Sequence, residues 1–296
     1  MNKDRKGSLY SSILELGKIK ISIPVALTGF LGYYRFSTSL SPDLVYTLLG
    51  ILLLSMGSST FNQVQEHRTD KLMKRTKSRP IPSGKISVRG AALAGTVEAL
   101  VGLGLLLLTG SVTASLIGIF TMFWYNLVYT PLKRVTPFAV LPGALIGALP
   151  PLIGWAAAGG NIFEREIIII SFFLFIGQMP HYWLILMKVG DEFRDAGLPV
   201  ITNIFTKSQL RNISFIWILA AAVTVIMFPA SGIIQHNWLA FSMLGLILLF
   251  LVRMTILSFK GEIMENWRKA FMTVNLFYLF IILLLIGDKF SSPYLY

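Results

Sequence analysis

Long apolar stretches alternate with short polar ones along most of the chain. Nine of the apolar stretches are long enough, or nearly so, to cross a bilayer: residues 18–35, 44–64, 88–108, 112–130, 136–157, 166–187, 211–229, 237–257 and 270–287. A helix needs ~20 apolar residues to span hydrocarbon, and a helix satisfies its own backbone hydrogen bonds there. The pattern therefore predicts an all-α, polytopic membrane protein with nine transmembrane helices, in one domain over residues 1–296. Pro142, Gly143, Pro150, Pro151 and Gly154 mark kink positions in the fifth span, and Gly177 and Pro180 in the sixth. No short-period repeat and no low-complexity segment interrupts the pattern.

Composition agrees: 54% of the 296 residues are hydrophobic and 14% charged, too apolar a balance for a soluble domain. With no cysteine there is no disulfide, no thiolate metal site and no haem-thioether attachment. The first residues are basic but lack a short apolar core followed by small residues, so they do not read as a signal peptide. Net charge is +12. Nucleic acid is a poor explanation for it, because the bases sort by membrane side. With the N-terminus in the cytoplasm, all but Arg35, Arg165 and Lys289 of the 26 Lys and Arg fall inside. That asymmetry predicts N-in, C-out topology and an odd number of spans; the membrane is expected to be a cell membrane of bacterial type. The longer polar loops lie on the same inner side, and any chemistry is expected there.

The richest polar stretch runs from Asn62 to Lys85, NQVQEHRTDKLMKRTKSRPIPSGK. Asn62, Glu66 and Asp70 recur at four-residue steps, which stacks them on one helix face with a rise of ~6 Å per step. Two carboxylates and an amide suit a hard divalent cation, Mg2+ or Mn2+. Lys71, Lys74, Arg75, Lys77, Arg79 and Lys85 follow directly. A metal that carries phosphates beside a cluster of cations is what a diphosphate requires. The plain alternative is a solvated charged loop, but orientation alone would need only Lys and Arg, not acids as well.

A second acidic group, Asp191 and Asp195 with Glu192 between them, follows the sixth span and again sets two carboxylates four residues apart. Such facing sets could hold one or two Mg2+ on a diphosphate, or form an ordinary interfacial turn. Lys133 and Arg134, and Lys18 and Lys20, read either as diphosphate contacts or as positive-inside anchors. His181, on the sixth span, has three readings: an iron ligand, a proton shuttle, or a hydrogen bond to a neighbouring helix. Glu98 sits within the third span, where a carboxylate is costly unless it is protonated or paired, as with a Lys or His. His67 reads as a loop residue and His236 as a solvated one. Of Tyr33, Tyr34, Phe120, Trp124, Tyr125, Tyr129, Tyr182 and Trp183, most read as interfacial belt or packing residues; a few near the polar cluster could line a prenyl tunnel and shield an allylic cation, and spacing does not say which.

NQVQEHRTD followed by MKRTKSRPIPSG resembles the first motif, Asn-x3-Asp-x3-Asp, of the UbiA-type polyprenyl transferases. Within that superfamily the chain is most similar to the protoheme IX farnesyltransferases, through ELGKIKISIPVALTGFLGYY, YTPLKRVTP, GALIGALPPLIGWAAAGG and QMPHYWLILMKVGDEFRDAGLPV. The resemblance covers residues 12–205; the last three spans are similar only in a general way. It implies nine helices around a central cavity and Mg2+-assisted ionisation of farnesyl diphosphate. The farnesyl group then adds to a vinyl of haem B, with water supplying a hydroxyl. It implies Asn62, Glu66 and Asp70 as the first metal site and Asp191 as part of the second. Lys133 and Arg134 carry over as diphosphate ligands, Arg75 and Arg79 as phosphate or propionate contacts, and His181 as a haem contact. A terminal oxidase is left open as an assembly partner. Glu66 stands where the family pattern has Asp, and Lys18-Ile19-Lys20 where it has Lys-Pro-Arg. Asp195 has no family counterpart, so its metal role rests on spacing.

Two rivals differ in what they predict. Another enzyme of the superfamily would use a quinone precursor or a different tetrapyrrole; the MxRTxxRP run and the Pro-His-aromatic-Trp segment favour haem. A transporter would use the intramembrane Glu98 and His181, but its polar groups should line a path across the membrane rather than pair at one surface.

Overall fold

A computed structural model describes residues 3–259 and 267–291. Lys260, one of the cations assigned to the inner side, and the chain ends lie outside the described residues. Every regular element among those described is helical. Helix α1 (Lys3–Leu16) and α2 (Ile19–Phe36) precede the long α3 (Pro42–Asp70). A loop leads to α4 (Val88–Leu108) and α5 (Val112–Phe123), which continues through a π-helical turn, Trp124–Tyr129, into the short α6 (Thr130–Leu132). Then come α7 (Val140–Ala157), α8 (Arg165–Asp195), α9 (Lys207–Ala230), α10 (Asn237–Phe259) and α11 (Trp267–Ser291). Ser87 and Ser111 cap α4 and α5 by accepting from backbone N–H groups, and Thr206 and Gln209 form a reciprocal box at the start of α9.

Eight helical stretches among the described residues are long and apolar enough to cross a membrane, so the chain is an integral, multi-pass protein. The segment expected as the first span folds as the 18-residue α2. Lys20 and Arg35 place a charge near each end of α2, which is not among the eight. Arg35 turns inward and is 4% exposed. Its guanidinium reaches Glu166 (2.5 Å) on α8, Asp288 (3.2 Å) on α11, and the carbonyls of Leu285 (3.1 Å) and Ile233 (3.0 Å). The other oxygen of Asp288 accepts from the Gln235 and His236 backbones and lies 3.2 Å from His236 Nδ1. His236, expected in solvent, is therefore part of a paired network that ties four segments at this end of the bundle. A charge taken out of water requires such partners.

The two largest of four apolar clusters among the described residues build most of the bundle. One joins residues of α2, α3, α4, α5 and α7; the other is drawn mostly from α8, α9, α10 and α11. The prolines expected to kink the fifth and sixth spans, Pro150, Pro151 and Pro180, lie inside helices that run on through them. Small residues bring backbones together, as they do where lipid supplies no hydrophobic drive between helices. A Cβ at Gly102 of α4 would sit 2.8 Å from Leu54 N of α3. On the α2–α7 face a Cβ at Gly154 would overlap the carbonyl oxygen of Gly29, and one at Gly32 the carbonyl of Pro151. Backbone atoms cannot swing away as a side-chain tip can. Gly154→Ala is thus expected to cost about 3 kcal/mol, read as a lower melting temperature in detergent. Gly104→Ala, where a Cβ meets nothing within 4 Å, is the matched control and should leave the melting temperature nearly unchanged.

Candidate active site

The second half of α3 carries the polar face. Asn62 is 1% exposed, Glu66 8% and Asp70 1%. Each is held by a cation from a different segment. Lys18 Nζ donates to Asn62 Oδ1 (2.8 Å), Lys133 Nζ to Glu66 Oε2 (2.7 Å), and Arg79 Nη1 to Asp70 Oδ2 (2.7 Å). Asn62 Nδ2 donates to Glu66 Oε2 (3.0 Å) and to Thr130 Oγ1 (3.2 Å), joining the ladder to itself and to α6. The four-residue spacing turns ~40° per step around the helix, so the three groups form one stripe rather than a point.

Local structure explains each cation. Lys18 occupies the turn between α1 and α2 with φ of 47°, the one described non-glycine residue in the left-handed region. L-residues avoid that region, and it is tolerated where the surroundings over-determine it. Here the turn aims the ammonium at Asn62. Burial pushes the Lys18 ammonium down to about 7, Arg79 and Lys133 push the same way, and Glu66 and Asp70 oppose them. Its hydrogen-bond partner, Asn62, is a neutral amide, so an arriving anion would favour its charged form. The loop after α3 is not a free solvated run. Thr76 Oγ1 donates to the Asp70 carbonyl (2.9 Å), and Met73, Thr76, Pro80 and Ile81 are buried. Ile81 packs with Leu16 and Ala91. This folds Arg79 back over Asp70, while Lys71, Lys74, Arg75, Lys77 and Lys85 remain exposed.

The π-helical turn sets the opposite wall. One extra residue per turn shifts the side chains that follow, as such turns do at functional sites. Thr130 Oγ1 donates to Tyr125 O (2.9 Å), and Lys133 then faces Glu66. Arg134 does not join the ladder; it is exposed and its guanidinium donates to Gln65 O (2.5 Å). Gly143 leaves room for Tyr129, whose ring would lie 2.7 Å from an added Cβ. From the ladder a run of rings leads inward. Lys133 Nζ is 5.6 Å from the Tyr129 ring centre, Tyr129 is 5.6 Å from Tyr125 and 6.3 Å from Tyr182, and Tyr182 is 6.1 Å from His181. His181 Nδ1 lies 3.0 Å from Asn275 Oδ1 on α11.

The second acidic group meets the first through Arg75, which lies within electrostatic reach of Glu192, Asp70 and Glu66 alike. Asp191 and Asp195 share an exposed face, and Asp191 pairs with Arg194 at 3.2 Å. Glu192 is turned ~100° from Asp191, and its Oε2 lies 3.4 Å from the backbone nitrogen of Arg75. Among the described residues no three of His, Cys, Asp and Glu gather into a metal-holding group. A metal here would draw on Glu66, Asp70 and Asn62 Oδ1 together with oxygens of its ligand. Glu98, expected to need Lys or His, accepts from Thr60 Oγ1 (2.9 Å) instead. Glu192→Gln is expected to lower turnover ~10-fold or more, and Asp191→Asn less than threefold. Steady-state rates of the two variants decide which acid of this group serves the site.

The model of the UbiA prenyltransferase family matches residues 22–281. The chain belongs to the UbiA prenyltransferase family. The UbiA chain is 32% identical to the protoheme IX farnesyltransferase of Oleidesulfovibrio alaskensis, covering 93% of this chain and 95% of that one. It is 39% identical to the protoheme IX farnesyltransferase of Geobacter sulfurreducens over 77% of this chain and 85% of that one. Among solved structures its fold is like that of a digeranylgeranylglyceryl phosphate synthase, with TM-score 0.78, 16% identity and coverage of 95% and 99%. It is also like a UbiA homologue from Archaeoglobus fulgidus bound to GPP and Mg2+, with TM-score 0.69, 16% identity and coverage of 95% and 98%. This UbiA member is thus a membrane prenyltransferase, as its motifs suggested. Sequence reasoning missed Thr130, Asn275 and the reach of Glu192. Thr130 stands inside the quoted YTPLKRVTP, but a helical wheel drawn at 3.6 residues per turn misplaces it across the π turn.

Proposed function

We propose that the chain transfers a farnesyl group from farnesyl diphosphate to a vinyl group of haem B, giving haem O. The observation that carries the donor half is the buried ladder of Asn62, Glu66 and Asp70, each oxygen held by a separate cation. An array of this kind suits a ligand that brings both phosphate oxygens and a metal. The acceptor half is supported by relatives named protoheme IX farnesyltransferase over most of the chain.

The donor set fits Mg2+, with Mn2+ as a substitute. It is all oxygen, holds two carboxylates, and leaves coordination positions for waters and phosphate, the pattern Mg2+ prefers. Glu66, Asp70 and Asn62 Oδ1 would hold the ion, which when bound neutralises charge on the departing diphosphate. The chain's own groups do the rest. Lys18 and Lys133 turn from Asn62 and Glu66 to phosphate oxygens, which frees those side chains. Arg79 keeps Asp70 in place, and Arg75, brought near by Glu192, takes a further oxygen. The bond between farnesyl C1 and oxygen breaks with its electron pair on the diphosphate. The terminal vinyl carbon bonds to C1, water adds to the inner vinyl carbon, and one proton leaves. The faces of Tyr125 and Tyr129 shield the cationic carbon, and the inward position of the rings keeps water from C1 before the vinyl arrives. His181 Nε2 contacts the haem iron and fixes the plane of the acceptor. The Lys and Arg distribution favours this site at the cytoplasmic face of a cell membrane, with the N-terminus inside, the C-terminus outside and one domain over residues 1–296. A terminal oxidase that takes up the product is the assembly partner this reading implies.

Expression in cells that make no prenylated haem tests the reading. Extracted haem should include haem O with the intact chain and none with Asp70→Ala. A prenylated quinone precursor beside unmodified haem would overturn the acceptor assignment and leave the donor site standing.

A further inference from the structure

His181 makes one hydrogen bond among the described residues, from Nδ1 to Asn275 Oδ1 at 3.0 Å. Among the described residues Nε2 has no hydrogen-bond partner. The geometry points to Asn275 as a positioning residue that fixes the tautomer and ring plane of His181, so that Nε2 presents its lone pair to the iron of the porphyrin acceptor. This rests on the reading that haem is the acceptor.

The chemistry follows from the donor and acceptor inventory. An amide oxygen can only accept, so the proton between the two residues sits on Nδ1. A neutral imidazole with its proton on Nδ1 has its lone pair on Nε2. A ligating imidazole characteristically donates its other N–H to a carbonyl or carboxylate, which sets the ring angle and raises the basicity of the ligand. Helix packing alone does not call for Asn275. It lies in an apolar span, where an amide costs free energy unless paired. The same α8–α11 seam leaves the buried hydroxyl of Tyr278 without a partner, so it does not satisfy polar groups as a matter of course. Phe271, one turn before Asn275 on α11, has its ring centre 4.8 Å from that of His181 and holds the other flank. The imidazole is thus fixed on one edge by a hydrogen bond and at its side by a ring, with Nε2 left over.

Three variants of the full-length enzyme in detergent test this: Asn275→Leu, of similar shape and without an acceptor, Asn275→Asp, an acceptor only, and His181→Ala. The readouts are the iron–histidine stretching frequency of bound ferrous haem by resonance Raman, KM for haem, and KM for farnesyl diphosphate. Asn275→Leu should lower the stretching frequency and raise KM for haem ~10–100-fold, with KM for farnesyl diphosphate unchanged. Asn275→Asp, a stronger acceptor, should raise the frequency and keep KM for haem near that of the native enzyme. His181→Ala should abolish the band. The unchanged donor KM shows that each variant is folded, and the Asp variant answers for Leu if Leu fails to fold. A frequency that does not follow the acceptor at position 275 overturns the positioning role. A band that survives His181→Ala overturns it too, by removing His181 from the iron. A native enzyme that prenylates another acceptor and binds no haem overturns the acceptor reading and this inference with it.

Discussion

Asp70→Ala is expected to lower prenyl transfer about a thousandfold, the loss that follows removal of a charge-stabilising group at a reacting centre. Two effects combine. An oxygen is lost from the metal-holding stripe, and Arg79, whose partner it was at 2.7 Å, is released to swing away from the phosphates. The fold should survive, because the loop is also held by Thr76 on the Asp70 carbonyl and by buried Met73 and Ile81, none of which needs the carboxylate. Glu66→Asp is the informative companion. It keeps the carboxylate and shortens the arm by one methylene, which stretches the 2.7 Å contact with Lys133. It should retain ~1–10% of turnover, since charge is kept and placement is lost. Rates of both variants, with melting temperatures to exclude unfolding, check the pair. Near-normal turnover in Asp70→Ala would remove Asp70 from the chemistry.

What was legible in the sequence was local. Asn62, Glu66 and Asp70 lie within one helix, so their spacing alone places them on one face, and the structure keeps them there. Lys133 and Arg79 could be named from motifs, but not paired with Glu66 and Asp70. Their contacts depend on how a loop and a π-helical turn fold back. The second acidic group shows the limit of spacing: Asp191 and Asp195 do share a face, yet it looks outward, and Glu192 between them meets the loop. Spacing says which residues share a face and not where that face points. Partners far apart in the chain left no local signal. Arg35 and Asp288 are separated by 253 positions, and Arg35 reads in isolation as one more outer cation. Asn275 sits in a span where nothing but its polarity marks it out. Its partner on α8 gives it meaning.

Removal of divalent metal is expected to reduce turnover to the background rate while leaving much of the farnesyl diphosphate binding in place. The cations Lys18, Arg79 and Lys133 belong to the protein and stay when a chelator is added, so the diphosphate keeps its main electrostatic attraction. Those cations also hold Asn62, Glu66 and Asp70 without metal, so the site should not collapse. What is lost is charge placed directly on the leaving oxygens as the carbon–oxygen bond breaks, and that acts on kcat more than on KM. Mg2+ and Mn2+ should both restore activity, since each accepts an all-oxygen site with phosphate. Ca2+ should restore little, because it prefers more ligands at longer distances than two carboxylates and an amide provide. The measurements are single-turnover rates and donor binding by the chelated enzyme, followed by readdition of each ion. Haem keeps its iron in the porphyrin under these conditions, so the chelator acts on the donor site alone. Full turnover in excess chelator would mean that Lys18, Arg79 and Lys133 suffice to ionise the donor, and the stripe on α3 would then be a scaffold for those cations.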